Sequence, residues 1–226
     1  NLGTALAAVS RKVLLVDLDP QGNASTGLGS DARTRDGSTY DVLIGSAAFV
    51  DVITETQVPG LHLAPGAVDL SGADMELVAE SDRAHRLQAA FASLGDNYDY
   101  ILIDCPPSLS LLTVNAMTAA HSVLVPLQCE FFALEGLSQL LQTVERVKQS
   151  LNPQLTIQGV VLTMFDRRNN LSQQVEDDVR DALGELVYDT VVPRNVRLSE
   201  APSHAMPRSE ERRVGKECRS RLSPYH

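Results

Sequence analysis

Two carboxylates close an apolar run in the segment Val13-Leu-Leu-Val-Asp17-Leu-Asp19-Pro20-Gln21-Gly22-Asn23. An extended chain alternates faces with period two, so Asp17 and Asp19 are expected to point the same way while the leucines and valines fix the strand inside a sheet. Pro20 and Gly22 end the strand, because proline lacks a ladder N–H and glycine opens turn conformations. Both acids are thus expected at the C-terminal mouth of a strand, where open α/β sheets bind their ligands. A second run, Tyr100-Ile-Leu-Ile-Asp104-Cys-Pro-Pro-Ser108, also closes on an acid before a double proline. An Asp in that position can hold the Mg²⁺ that bridges nucleotide phosphates, directly or through water. It can equally cap a helix starting near Ser108. Three carboxylates at neighbouring strand ends repel one another unless a cation sits among them, which favours the metal role.

The elements that must position these acids follow from hydrophobic periodicity. Strand-like apolar runs recur at residues 13–18, 61–64, 100–104, 122–127, 158–165 and 188–192. Leu134, Leu137, Leu140, Leu141, Val144, Val147 and Leu151 trace one face of a helix that begins after Phe132 and stops before Pro153. Residues 73–94 and 171–186 predict two further helices. Alternating strands and helices imply an α/β fold, a doubly wound, mostly parallel sheet flanked by helices.

Composition narrows the functional classes. With 226 residues, 43% hydrophobic, the chain can bury one sizeable core, and with 4% aromatics and no Trp that core is built from Leu, Val, Ile and Ala. Cys105, Cys129 and Cys218 show no metal or redox spacing and read as structural thiols in a reducing, cytoplasmic compartment. The five histidines are scattered, so neither a metal cluster nor a Ser-His-Asp site is supported. The apolar stretch at residues 2–9 lacks a basic n-region and is too short to span a bilayer. Net charge is −10, but residues 207–226 hold six Lys/Arg and three Asp/Glu, leaving 13 basic and 26 acidic residues in the remainder. Any nucleic-acid contact must therefore come from a local basic patch.

Five segments together carry a resemblance: Leu14-Leu-Val-Asp-Leu-Asp-Pro-Gln-Gly-Asn23, Ile103-Asp-Cys-Pro-Pro-Ser108, Glu130-Phe-Phe-Ala-Leu-Glu-Gly136, Leu162-Thr-Met-Phe-Asp166 and Val192-Pro-Arg-Asn-Val-Arg-Leu-Ser-Glu-Ala-Pro-Ser203. In order and spacing they resemble the ParA/Soj family of DNA-partition ATPases, from Asn1 to about His204. The resemblance implies a P-loop NTPase-like fold using ATP and Mg²⁺, and a homodimer that forms on ATP. It further implies non-specific DNA binding in the ATP state and release when a ParB/Spo0J-like partner protein stimulates hydrolysis. By similarity, Asp19 positions the attacking water, Asp17 supports the phosphate and metal region, and Asp104 is the Walker B acid near Mg²⁺. Met164 and the Pro193, Arg194, Asn195 turn fall where the family closes over adenine, although apolar residues ending a buried strand commonly only pack. Arg168 and Arg197 match DNA-binding positions, and guanidinium groups suit sequence-independent phosphate contacts.

The resemblance also implies a first strand and a glycine-rich, lysine-bearing phosphate loop immediately before Asn1, so residues 1–205 are expected to be an N-terminally shortened ATPase domain with little activity by themselves. Residues 206–226 predict a loose, unrelated tail. Two other readings remain open here. One is a MinD-like membrane-cycling ATPase, which requires an amphipathic membrane helix that the tail does not offer. The other is a non-catalytic DNA-binding or interaction module. A nitrogenase-iron-protein-like carrier shares the architecture, but its cluster cysteines have no counterpart.

Overall fold

The computed structural model describes residues 1–31, 36–130 and 133–195. The chain opens with α1 (Leu2–Ala8), β1 (Val13–Asp17), α2 (Asn23–Gly27), α3 (Thr39–Ile44) and α4 (Phe49–Val52). It continues through β2 (Thr54–Glu55), β3 (Leu61–Ala64), α5 (Ala73–Glu76), α6 (Arg86–Phe91), β4 (Tyr100–Asp104) and α7 (Leu111–Ala119). The last elements are β5 (Ser122–Gln128), α8 (Ala133–Ser150), β6 (Thr156–Thr163) and α9 (Asn170–Leu183).

The expected α/β architecture is present, with the strands mostly parallel. Among the described residues they form two sheets, a four-stranded one in the order β2-β3-β1-β4 and a pair of β5 and β6. β1 is central and runs parallel to both β3 and β4, while the two-residue β2 joins β3 antiparallel. Being flanked on both edges and covered on both faces, β1 reads Val-Leu-Leu-Val with no polar alternation. Its neighbour β4 has a strand partner on one side only, and its end residues Tyr100 and Asp104 are exposed.

Each sheet has its own core. Leu14, Val16 and Leu18 pack with Leu43, Phe49, Leu70 and Leu87 around the first sheet. Val160 and Leu162 of β6 pack with Leu137, Val175 and Val179 of α8 and α9 around the second. Met117 of α7 meets Val144 and Val147 of α8 and Leu155 in a smaller cluster linking the two. Burying a Leu or Val side chain stabilises by about 1.5–3 kcal/mol, so these clusters hold the strands in place. The helix predicted between Phe132 and Pro153 is α8, and Asn169 caps α9 by accepting from Leu171 N at 3.0 Å.

Two expected elements differ. Residues 73–94 do not form one helix. The chain leaves helical geometry between α5 and α6, where the buried Asn115 side chain donates to the Arg83 carbonyl at 2.7 Å and accepts from Leu87 N at 3.2 Å. Asn115 thus satisfies backbone groups that an unbroken helix would have paired internally. Residues 188–192 do not form a strand either. They lie along β6 through Tyr188 N to the Val160 carbonyl (2.9 Å) and Val192 N to the Leu162 carbonyl (2.8 Å). The contact continues only as isolated bridges, Val160 with Val187 and Phe165 with Pro193, and Pro193 itself has no N–H to donate to a ladder. The close approach relies on Gly159, where a Cβ would fall 2.7 Å from the Tyr188 ring.

Candidate functional site

The site is built at the C-terminal ends of β1 and β4, where Asp17 and Asp104 are register partners across the parallel pair. The apolar residues of β1 bury Asp17 completely, and a carboxylate without water must find donors nearby. Three are supplied locally. Asp17 Oδ2 accepts from Ser25 N at 2.8 Å and from Ser25 Oγ at 2.6 Å, while Oδ1 accepts from Asp19 N at 3.1 Å. The Asp17 carbonyl accepts from Thr39 Oγ1 at 2.7 Å, and Ser25 Oγ in turn accepts from Gly66 N at 3.0 Å. Asp17 therefore ties together β1, α2, the start of α3 and the loop after β3.

Asp19 lies beyond the last residue of β1, in a turn closed by Gly22 N donating to the Asp19 carbonyl at 2.9 Å. Gly22 has φ of 61°, a conformation that favours glycine and permits the tight reversal into α2. Asp19 Oδ1 accepts from Gln21 N at 2.9 Å. Its Oδ2 accepts no hydrogen bond among the described residues.

Asp104 contrasts with its register partner. Its side chain is exposed and accepts no hydrogen bond among the described residues, and its carbonyl accepts from Leu18 N at 2.9 Å. Partial desolvation, then the charges of Asp17 and Asp19, push its carboxyl up to about 6. Burial, followed by the same acids, raises the Cys105 thiol to about 12, which leaves it a poor nucleophile. The helix-cap alternative for Asp104 fails on position, because the residue capping α7 is Ser110.

These donors suit a particular kind of cation. No group of three or more His, Cys, Asp and Glu among the described residues could enclose a metal, and Asp17 is spent on its own loop. The carboxylate oxygens left open are those of the exposed Asp104 and Oδ2 of the half-buried Asp19. Mg²⁺ is held in this manner in phosphoryl-transfer sites, by one or two carboxylates with waters and substrate phosphates completing an octahedron, whereas Ca²⁺ takes a fuller cage of protein oxygens. The residues present fit Mg²⁺ brought with a nucleotide.

The second group of candidates lies beyond β6. Phe165 N donates to the Val192 carbonyl at 3.1 Å and Arg194 N to the Phe165 carbonyl at 2.9 Å, so Met164 and the residues 193–195 are brought together. Met164 has φ of 53°, uncommon for a residue with a Cβ. Arg168 is 91% exposed and its Nε lies 3.3 Å from Asp166 Oδ1. The Arg168 backbone N–H, then its side chain, hold the Asp166 carboxyl below its usual value, with Arg194 adding to the effect. Arg168 and Arg194 therefore both act on Asp166, with Arg167 next to Arg168 in sequence, and Arg197 lies outside the described residues. Sequence reasoning missed Ser25, Thr39 and Gly66, whose only local signal is a hydroxyl or glycine in polar segments.

Comparison with known proteins gives consistent relatives. A family model described as an AAA domain matches residues 1–157. The chromosome partitioning protein ParA of Caulobacter vibrioides is 60% identical over 209 residues, covering 92% of this chain and 78% of that protein. The sporulation initiation inhibitor protein Soj of Bacillus subtilis is 53% identical over 207 residues, covering 92% and 82%. Among solved structures, one named cobyrinic acid a,c-diamide synthase from Mycobacterium smegmatis, with bound ADP and magnesium, is 40% identical with a TM-score of 0.81, covering 90% of this chain and 84% of that one.

Proposed function

This chain belongs to the ParA/Soj family of chromosome-partitioning ATPases, and from that premise we propose that it hydrolyses Mg²⁺-ATP to drive a cycle of dimerisation, non-specific DNA binding and partner-stimulated release. The observation that carries the reading is the division of labour between register-matched acids, Asp17 consumed by its own loop and Asp104 left open beside it. Bound Mg²⁺ neutralises charge on the nucleotide phosphates. Asp104 would hold that ion, directly or through water. Asp19, with Oδ2 uncommitted, orients the attacking water, and the Asp17 hydrogen bond to Asp19 N fixes where Asp19 emerges. Met164, Pro193, Arg194 and Asn195 form the adenine edge.

DNA is held by Arg168 and Arg197, with Arg167 and Arg194 contributing charge, through phosphate contacts that read no sequence. Dimerisation on ATP doubles this patch, which lets a chain of net charge −10 hold DNA in one nucleotide state only. A ParB/Spo0J-like partner triggers hydrolysis and release. Residues 1–205 form the ATPase domain and 206–226 a separate tail, and the protein works in the cytoplasm on the nucleoid. No helix among the described residues is long and apolar enough to cross a membrane.

The test is fluorescence anisotropy of duplex DNA of arbitrary sequence with the full-length protein in ATP and in ADP over a salt series. Tight, salt-sensitive binding in ATP alone is expected, and it is lost in the Arg168→Ala, Arg197→Ala double variant. Binding that ignores the nucleotide would sink the proposed cycle and favour a non-catalytic DNA-binding module. Absence of DNA binding with ATP-dependent binding to anionic vesicles would favour the MinD-like reading.

A further inference from the structure

We propose that Ser25 is a positioning residue for ATP hydrolysis, setting Asp19 through Asp17; this rests on the reading of Asp19 given above. Ser25 is fully buried although it lies in a short polar helix, and its hydroxyl is the crossing point of a continuous chain of hydrogen bonds. Gly66 N donates to Ser25 Oγ at 3.0 Å, Ser25 Oγ donates to Asp17 Oδ2 at 2.6 Å, and Asp17 Oδ1 accepts from Asp19 N at 3.1 Å. The loop after β3 lies flush on this turn: a Cβ at Gly66 would sit 3.0 Å from Asp17 Cγ and from the carbonyl oxygens of Asp17 and Asp19. Three segments therefore converge on the two residues that decide where Asp19 leaves β1.

The chemistry of that convergence requires a hydroxyl. One Ser25 Oγ serves as acceptor for Gly66 and as donor to a buried carboxylate, and the short distance to Asp17 is that of a charge-assisted bond. Alanine provides neither function and removes the Ser25 acceptor of the Gly66 N–H, whereas threonine keeps both. With the Ser25 hydroxyl gone, Asp17 keeps one backbone donor on each oxygen, Ser25 N and Asp19 N, but loses its shortest bond and the tie through it to Gly66. The acceptor of the Asp19 N bond, which orients the following turn, is then held less firmly. Asp19 itself keeps its carboxylate, so the defect lies in placement and not in chemical identity.

The experiment compares Ser25→Ala, Ser25→Thr, Asp19→Ala and the Ser25→Ala, Asp19→Ala double variant in the full-length protein. It measures kcat and KM for Mg²⁺-ATP alongside thermal melting by circular dichroism. Misplacement by about 1 Å is enough to cost roughly 100-fold. Ser25→Ala is therefore expected to lower kcat roughly 10- to 100-fold, with KM for ATP unchanged and the protein folded at the assay temperature. Ser25→Thr restores turnover, and Ser25→Ala adds no further loss in the Asp19→Ala background, as for residues acting as one unit. Wild-type turnover in Ser25→Ala, a loss explained by the unfolded fraction, no rescue by threonine, or additive losses would each overturn the proposal. Normal turnover in Asp19→Ala removes the underlying reading of Asp19. An inactive Asp19→Ala beside a fully active Ser25→Ala removes only the role of Ser25.

Discussion

Asp17 and Asp104 sit opposite each other on adjacent parallel strands, yet their surroundings are opposites. The loop after β1 folds back on Asp17 and gives it three donors with no exposure, while the loop after β4 departs through two prolines and gives Asp104 none among the described residues. Pro106 and Pro107 have no N–H to offer, so the chain that follows Asp104 cannot repeat what the chain after Asp17 does. Burial and the supply of local donors go together here: the buried acid holds the protein together, and the accessible one is available to a cation.

The largest effect that would sharpen this contrast is on stability. Asp17→Ala leaves the Ser25 N–H, the Ser25 hydroxyl and the Asp19 N–H without their acceptor, and each buried orphan costs on the order of 1–3 kcal/mol. A loss of about 3 kcal/mol or more is expected, measured as a fall in the urea midpoint. A midpoint unchanged in Asp17→Ala would break the comparison outright.

A smaller effect, of opposite sign, is expected from Asp104. Its carboxyl stands near 6 in the folded protein against an ordinary 3.8. The folded state therefore keeps a proton that the unfolded state releases, and stability falls as pH rises from about 4 to about 6, then levels off. Melting temperature measured across that window should decline in the wild type and stay flatter in Asp104→Asn, which should be no less stable at pH 7. Mg²⁺ with ATP should raise the wild-type melting temperature more at pH 7 than at pH 5, because a proton on Asp104 competes with the ion. The smallest effect belongs to the exposed pair of Arg168 and Asp166, where solvent screens the attraction. Arg168→Ala should leave the melting temperature unchanged while weakening DNA binding and flattening its salt dependence.

The acidic strand ends were legible because an apolar run closing on Asp before Pro admits few structures. Their separate roles were not. Period-two alternation places Asp17 and Asp19 on one face, but it applies within a strand, and β1 ends at Asp17. Asp19 is oriented by the turn that Gly22 closes. The break between α5 and α6 was hidden for a similar reason, since the groups that stabilise it come from Asn115, far along the chain. Residues 188–192 carry the composition of a strand, but they meet β6 only through single hydrogen bonds beside isolated bridges, which hydrophobicity alone does not express. Ser25 was invisible because a serine in a polar stretch signals solvent, and only the path of the loop after β3 encloses it.

The separate cores of the two sheets have a consequence for cooperativity. Leu14, Val16 and their partners form one packed unit and Val160, Leu162 and theirs another, joined by the cluster of Met117, Val144, Val147 and Leu155 and by the Asn152 side chain donating to the carbonyls of Met117, Thr118 and Ala120. Units with separate cores open with different free energies. Amide protons of β1, with strand neighbours on both sides, should exchange with solvent last, and those of β5 and β6 should exchange together and earlier, giving two generations of protection within one chain.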